Sequence, residues 1–173
     1  MRILTISGSL RAASSNTSVL EALALLAPPG VAVTRYDGLG ALPHFNPDIE
    51  MAALPEAVAR LRRQVAEADG LIVSSPEYAH GIAGSFKNGL DWLVGSVDFP
   101  GKPVAAINAA PRASHAEAQL AEILKTMSAR LIAECCITLP VQGSRLDAEG
   151  IAATPALAEP LREMLGRFVA AIG

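Results

Sequence analysis

The residues best suited to chemistry lie between Gly8 and Asn16, GSLRAASSN. The hydroxyls of Ser9, Ser14 and Ser15 can donate hydrogen bonds, and Arg11 offers a forked, permanent positive charge. The apolar run Arg2 to Ile6 (RILTI) precedes them and reads as a buried parallel strand. Ser15 to Ala27 follows, with Val19, Leu23 and Leu26 at helical spacing. A helix starting here aims unpaired N–H groups and the positive end of its dipole at the loop. The loop is therefore expected to grip a phosphorylated ligand. The competing account is that Ser14, Ser15 and Asn16 cap the helix while Arg11 points into water. Neither GxxxxGK[ST] nor GxGxxG follows the first strand, which disfavours a P-loop NTPase and an ordinary dinucleotide-binding domain. A hydroxyl-rich loop suits the monophosphate of a mononucleotide such as FMN.

Strand-like and helix-like segments must position that loop. Val31 to Tyr36, Gly70 to Ser75, Lys102 to Asn108 and part of Arg130 to Leu139 read as four further strands. Helical spacing marks Leu54, Val58, Leu61 and Val65; then Phe86, Leu90 and Leu93; then Leu120, Leu124 and Met127; and last Leu157, Leu161, Leu165 and Phe168. Asp37 to Met51, with Pro43 and Pro47, reads as a surface excursion. Five strands alternating with five helices predict a single α/β domain over residues 1–173, a doubly wound five-stranded parallel sheet of order 2-1-3-4-5. Ligands of such sheets sit beyond the carboxyl ends of the strands where the order reverses. Strands one and three flank that point, so the loops after them, Gly8 to Asn16 and Pro76 to Gly84, would form the site.

Bulk properties narrow the classes. Hydrophobic residues make up 51% and charged residues 18%, which excludes a disordered chain. Aromatics are 4%, so the core must be aliphatic. A net charge of −3 gives no footprint for nucleic acid. No apolar stretch reaches the roughly 18–20 residues of a membrane span, and no signal-peptide pattern opens the chain. A cytoplasmic protein is expected. Cys135 and Cys136 match neither CxxC nor a zinc pattern and read as buried small hydrophobes. His44, His80 and His115 are scattered, so no metal is expected.

The segment Ser75 to Trp92 reads SPEYAHGIAGSFKNGLDW. It offers mostly backbone groups and small side chains, which suits the edge of a flat polar heterocycle. Tyr78 could cover a ring face or pack structurally. Lys87, Asn88, Asp91 and Trp92 could serve as caps, ion pairs or subunit contacts.

Together the two loops resemble the NADPH-dependent FMN reductase family, which includes quinone, chromate and azo-dye reductases of flavodoxin-like fold. The match to GSLRxxSxN runs through Gly8, Leu10, Arg11, Ser14 and Asn16. The match to PEYxxxxxGxxKNxxDW runs through Pro76, Glu77, Tyr78, Gly84, Lys87, Asn88, Asp91 and Trp92. The resemblance implies that Ser9, Arg11, Ser14 and Asn16 hold the FMN phosphate, with Ser15 and Thr17 adding contacts. It implies that Pro76, Glu77, Tyr78 and Ala79 line the isoalloxazine. The chain departs from the family at Ala79, where many relatives have Asn, and at Ala83, where many have Pro. It departs again at Asn108 to His115 (NAAPRASH), where relatives often carry a serine- and glycine-rich loop.

The activity implied is an NAD(P)H oxidoreductase that passes hydride to bound FMN and then to a quinone, flavin, azo dye, metal oxyanion or oxygen. No protein nucleophile or general acid is needed, and Glu77 is expected to be structural or a subunit contact. The alternatives are a flavodoxin-like electron carrier and a flavin-binding regulatory protein without NAD(P)H turnover. The resemblance also implies a homodimer, with a tetramer as the further option. Trp92, the only tryptophan, is either its interface anchor or a cap on the monomer's own core.

Overall fold

The apolar runs at the first and third strands become neighbouring parallel strands, and their period-two alternation sends side chains into two separate cores. The computed structural model describes residues 1–112 and 114–173. In chain order the elements are β1 (Arg2–Ser7), α1 (Ser15–Leu25), β2 (Ala32–Tyr36), α2 (Pro47–Ala52), α3 (Glu56–Glu67) and β3 (Gly70–Ser74). The short strands β4 (Glu77–Tyr78) and β5 (Gly81–Ile82) follow, then α4 (Gly84–Val94), β6 (Pro103–Asn108) and α5 (Ser114–Thr126). The chain ends with β7 (Arg130–Leu131), β8 (Ile137–Thr138), α6 (Ala148–Ala153) and α7 (Pro155–Ile172).

The main sheet has the order β2-β1-β3-β6-β7, and its pairings are parallel. Ile3 and Ile72 face a core built with Val19 and Leu23 of α1 and Leu161, Leu165 and Phe168 of α7. Leu4, Ile6, Leu71 and Val73 face the other core, with Leu61 and Val65 of α3, Phe86 and Leu90 of α4, and Leu120 and Leu124 of α5. Both faces of the sheet are therefore covered, which is why β3 is buried at every residue. The order reverses between β1 and β3, where the sequence placed the crevice.

The fifth strand differs from the expectation. Arg130 to Leu139 carries two short pieces, β7 and β8, separated by a 3₁₀ turn at Ala133–Cys135. Both pair with β6: Val104 lies opposite Leu131 and Ile107 opposite Ile137. Between those pairings the outer strand has five residues and β6 has two, so the outer strand must bulge from the sheet, as edge strands often do. The stretch read as a surface excursion also holds structure, a 3₁₀ turn at Leu39–Ala41 and then α2. Asn46 caps α2, accepting from the Asp48 N–H at 2.9 Å, with Pro47 in the first turn.

Candidate active site

The exit of β1 is stitched to β3, because the Gly8 N–H donates to the Ser74 carbonyl at 2.8 Å. A methyl group at Gly8 would lie 2.8 Å from Ser75 Oγ and 3.0 Å from Phe86 Cβ, so glycine is what lets the two loops meet. Ser14 caps α1, its Oγ accepting from the Thr17 N–H at 3.4 Å. Capping uses only an acceptor lone pair and leaves the hydroxyl proton free to donate. The capping and ligand-binding accounts of Ser14 are thus compatible. The first backbone bond of the helix is Ser18 N–H to Ser14 carbonyl at 2.9 Å, which leaves the N–H groups of Ser15 and Asn16 facing outward. Asn16 Oδ1 accepts from Ser74 Oγ at 2.7 Å and ties the helix start to the neighbouring strand.

The second loop is a hairpin. β4 and β5 pair antiparallel, Tyr78 opposite Gly81, and the two residues between them are left-handed: Ala79 at φ 49° and His80 at φ 60°. Two consecutive positive φ values define the tight hairpin turn that favours Asn-Gly. Alanine at the first position carries strain that the hairpin's anchors must overcome. Those anchors come from α5: the Ala116 N–H donates to Glu77 Oε2 at 2.9 Å, and the Ile82 N–H to Gln119 Oε1 at 2.7 Å. The His80 ring stacks on His115, centroids 4.2 Å apart and 4° from parallel. Glu77 thus spends a carboxylate oxygen on a helix start, a structural use. Ala79→Gly should raise the thermal midpoint by about 2–4 °C, from roughly 1 kcal/mol of relieved left-handed strain. A lower midpoint would show that the turn is not strained.

The two loops enclose a cavity of about 350 Å³ at the carboxyl ends of β1 and β3, lined by Ser9, Arg11, Ser14, Ser15 and Asn16 at one end and by the hairpin at the other. Of the residues the sequence singled out, Pro76, Glu77, Tyr78 and Ala79 also line it. Thr17 does not. Its Oγ1 bonds Ser7 Oγ at 2.8 Å, and it faces a neighbouring polar cleft with Arg35 and Asp37. His80, within the expected second loop, also lines the cavity, and Ala109, Ala110, Arg112 and Gln142, which were not anticipated, complete the wall. The switch-point rule could have found Ala109 to Arg112, which follow β6. Gln142 had no sequence signal, since its place depends on the Gln142 N–H donating to the Ala109 carbonyl at 3.1 Å. The loop Asn108 to His115 includes Ala113, which lies outside the described residues.

The donor set suits a flavin mononucleotide. One end gathers three hydroxyls, a guanidinium and a helix N-terminus, the demand of a phosphate; the other offers proline, tyrosine, alanines and backbone, the demand of a flat ring.

The second motif proves mainly structural. Asn88 Nδ2 donates to the Pro43 carbonyl at 2.9 Å while Asn88 Oδ1 accepts from the Phe45 N–H at 2.8 Å. Trp92 Nε1 donates to the same Pro43 carbonyl at 2.7 Å, and its ring meets Phe45 edge-on at 5.0 Å. Lys87 pairs with Asp91 along α4 at 2.5 Å. Trp92 is 0% exposed, so it caps this chain's own core and is no surface anchor.

Among the described residues no three His, Cys, Asp or Glu side chains cluster as a metal site. Cys135 is buried as expected; Cys136 is only half-buried, because the bulge turns it toward an opening beside α5. Burial pushes both thiols up from their ordinary range, and Glu117 and Glu134 add to the effect at Cys136.

Comparison with known proteins places these features in a family. The model for NADPH-dependent FMN reductase matches residues 1–141. An NAD(P)H-dependent FMN reductase of Pseudomonas aeruginosa is 38% identical over 111 residues, 63% of this chain and 60% of that protein. A 2-hydroxy-1,4-benzoquinone reductase of Burkholderia sp. is 32% identical over 156 residues, 87% of this chain and 84% of that one. The flavoenzyme NAD(P)H:(acceptor) oxidoreductase FerB of Paracoccus denitrificans superposes with a TM-score of 0.81 at 28% identity, covering 99% of this chain and 96% of that one. The chain spans about 60% of the length of the first-named relative. A match over most of the chain, on a fold that brings the family's two motif loops to one cavity, makes this protein a member of the NADPH-dependent FMN reductase family.

Proposed function

We propose that residues 1–173 work as one FMN-binding domain that oxidises NAD(P)H and reduces a quinone or a related small acceptor. The observation that carries this reading is the cavity at the β1/β3 switch point, with the N-terminus of α1, Arg11 and three serines at one end. An FMN held there would supply the hydride- and electron-transfer chemistry between NAD(P)H and the acceptor. The chain's own residues bind and orient. Ser9, Ser14 and Ser15 donate hydroxyl protons toward the phosphate position, and Arg11 balances its charge. Asn16, through Ser74, fixes the helix start against the sheet. Pro76 to His80 set the wall for the ring, held to α5 through Glu77 and Gln119. None of these roles requires a proton to leave a side chain.

The names of the relatives, FMN reductase and quinone reductase, support this reading over an electron carrier. No helix among the described residues is long and apolar enough to cross a membrane, and a reductant drawn from NAD(P)H fits a cytoplasmic setting. The proposal includes a homodimer. Trp92 does not support it, but Val94, Val97 and Met51, all exposed and the last on α2, offer apolar surface near the end of α4.

The test is anaerobic mixing of the FMN-loaded protein with NADH or NADPH. The 450 nm region band should bleach without any acceptor and return when a benzoquinone is added, with parallel lines in double-reciprocal plots. Bound FMN that stays oxidised would favour the carrier or regulatory reading.

A further inference from the structure

A second opening is bordered by Ser75 and Asn108, the residues just before Pro76 and Ala109 of the first cavity. It measures about 130 Å³ and is lined by α5 (Ala116, Leu120, Ala121, Leu124), by β6 and by the bulged edge at Leu131, Ala133, Cys136 and Ile137. Its origin is structural. Small residues, Ala106, Ala116, Ala121 and Ala133, stand where larger ones would fill the layer between α5 and the sheet. The broken fifth strand leaves that layer open at the edge, so Ala106, Leu131, Cys136 and Ile137 are only half-buried or less. One end is polar: Asn108 Nδ2 donates to Glu117 Oε2 at 3.0 Å, and Ser75 borders it.

We propose that this crevice is a second ligand site, for a single aromatic ring carrying a hydroxyl, a phenol in size and chemistry. Three observations select that occupant. The volume is close to that of an apolar cavity of about 150 Å³ known to take benzene, and too small for a two-ring system. The lining is aliphatic along its length, which suits a ring face. The Glu117 carboxylate, which can accept from a hydroxyl, and the second amide N–H of Asn108, which can donate to its oxygen, give one end partners for a phenolic group. A second protein chain fits less well, because none of the exposed large apolar side chains among the described residues lies at the rim. The site shares its dividing wall with the flavin cavity: Ser75 precedes Pro76, and Asn108 Oδ1 accepts from the N–H of Ala110, which lines that cavity. The site itself does not rest on the proposed reductase activity.

Phenol is the probe, titrated into the FMN-loaded protein and the flavin-free protein by ligand-observed NMR. The expected result is saturable one-to-one binding in both forms, not displaced by FMN. Alkylation of Cys136 by iodoacetamide should slow at least threefold at saturating phenol. Ala121→Leu, which fills the crevice from α5, should abolish both effects while leaving FMN affinity unchanged. Ala133→Leu fills it from the opposite wall and should do the same, which guards against a folding defect in either variant. Absence of phenol binding, binding that survives both variants, or displacement by FMN would overturn the proposal. Failure of wild-type protein to load FMN would sink the reductase reading and leave the phenol result in the flavin-free form to stand or fall alone.

Discussion

Arg11→Ala should weaken FMN binding by about 1.5–3 kcal/mol, or roughly 10- to 150-fold, the usual scale for losing a hydrogen bond to a charged partner. The loss should be confined to the ligand. Arg11 is exposed on the β1–α1 loop and forms no ion pair among the described residues, so the flavin-free protein should melt at the wild-type temperature. Its one internal bond, N–H to Ser9 Oγ at 3.3 Å, is made by the backbone and survives the substitution. Riboflavin, which lacks the phosphate, should bind wild type weakly and lose little further affinity in the variant. Fluorescence quenching titrations of both flavins against both proteins decide the matter. Equal losses for FMN and riboflavin would mean that Arg11 shapes the loop and does not read the phosphate.

The fold was legible because its signals are local and strong. RILTI and GLIVS are largely apolar runs, and the helices between them show clear spacing, so the order 2-1-3-4 and the switch point followed from topology rules. The fifth strand was misread for a physical reason: RLIAECCIT is apolar enough for a strand, but pairing to β6 leaves extra residues that only tertiary register reveals. At α2, Asn46-Pro47 was a usable helix-start signal. The expectation of a surface excursion rests instead on Pro43 and Pro47, which together suggest an irregular loop.

The site was legible where a motif was contiguous, and less so where side chains meet through space. Arg112 and Gln142 reach the cavity from two other loops. Thr17, adjacent to residues that line the cavity, turns to Ser7 because one helical step swings its side chain away from the opening. Lys87, Asn88, Asp91 and Trp92 take the local contacts and ion pairing expected of them. They belong to the second motif, and Asn88 and Trp92 meet on the Pro43 carbonyl and hold a loop against α4.

Trp92→Ala should therefore be a stability variant and not an assembly variant. The side chain is 0% exposed, packs edge-on to Phe45 and donates Nε1 to Pro43. Truncating a buried tryptophan costs about 3–5 kcal/mol, from lost burial and the cavity left behind. For a chain of this size that is roughly 6–20 °C in the thermal midpoint. Trp92→Phe keeps most of the volume and loses one hydrogen bond, while the Pro43 carbonyl still accepts from Asn88 at 2.9 Å. Its cost should stay near 1 kcal/mol. The proposed dimer gives the control, since Val97 is 90% exposed and far cheaper to replace. Val97→Asp should shift light-scattering mass from dimer toward monomer with an unchanged midpoint at low protein concentration. Trp92→Ala should lower the midpoint and leave the mass of the folded fraction unchanged. A Trp92→Ala protein that melts like wild type but runs as a monomer would put the tryptophan back at an interface, against its complete burial within one chain.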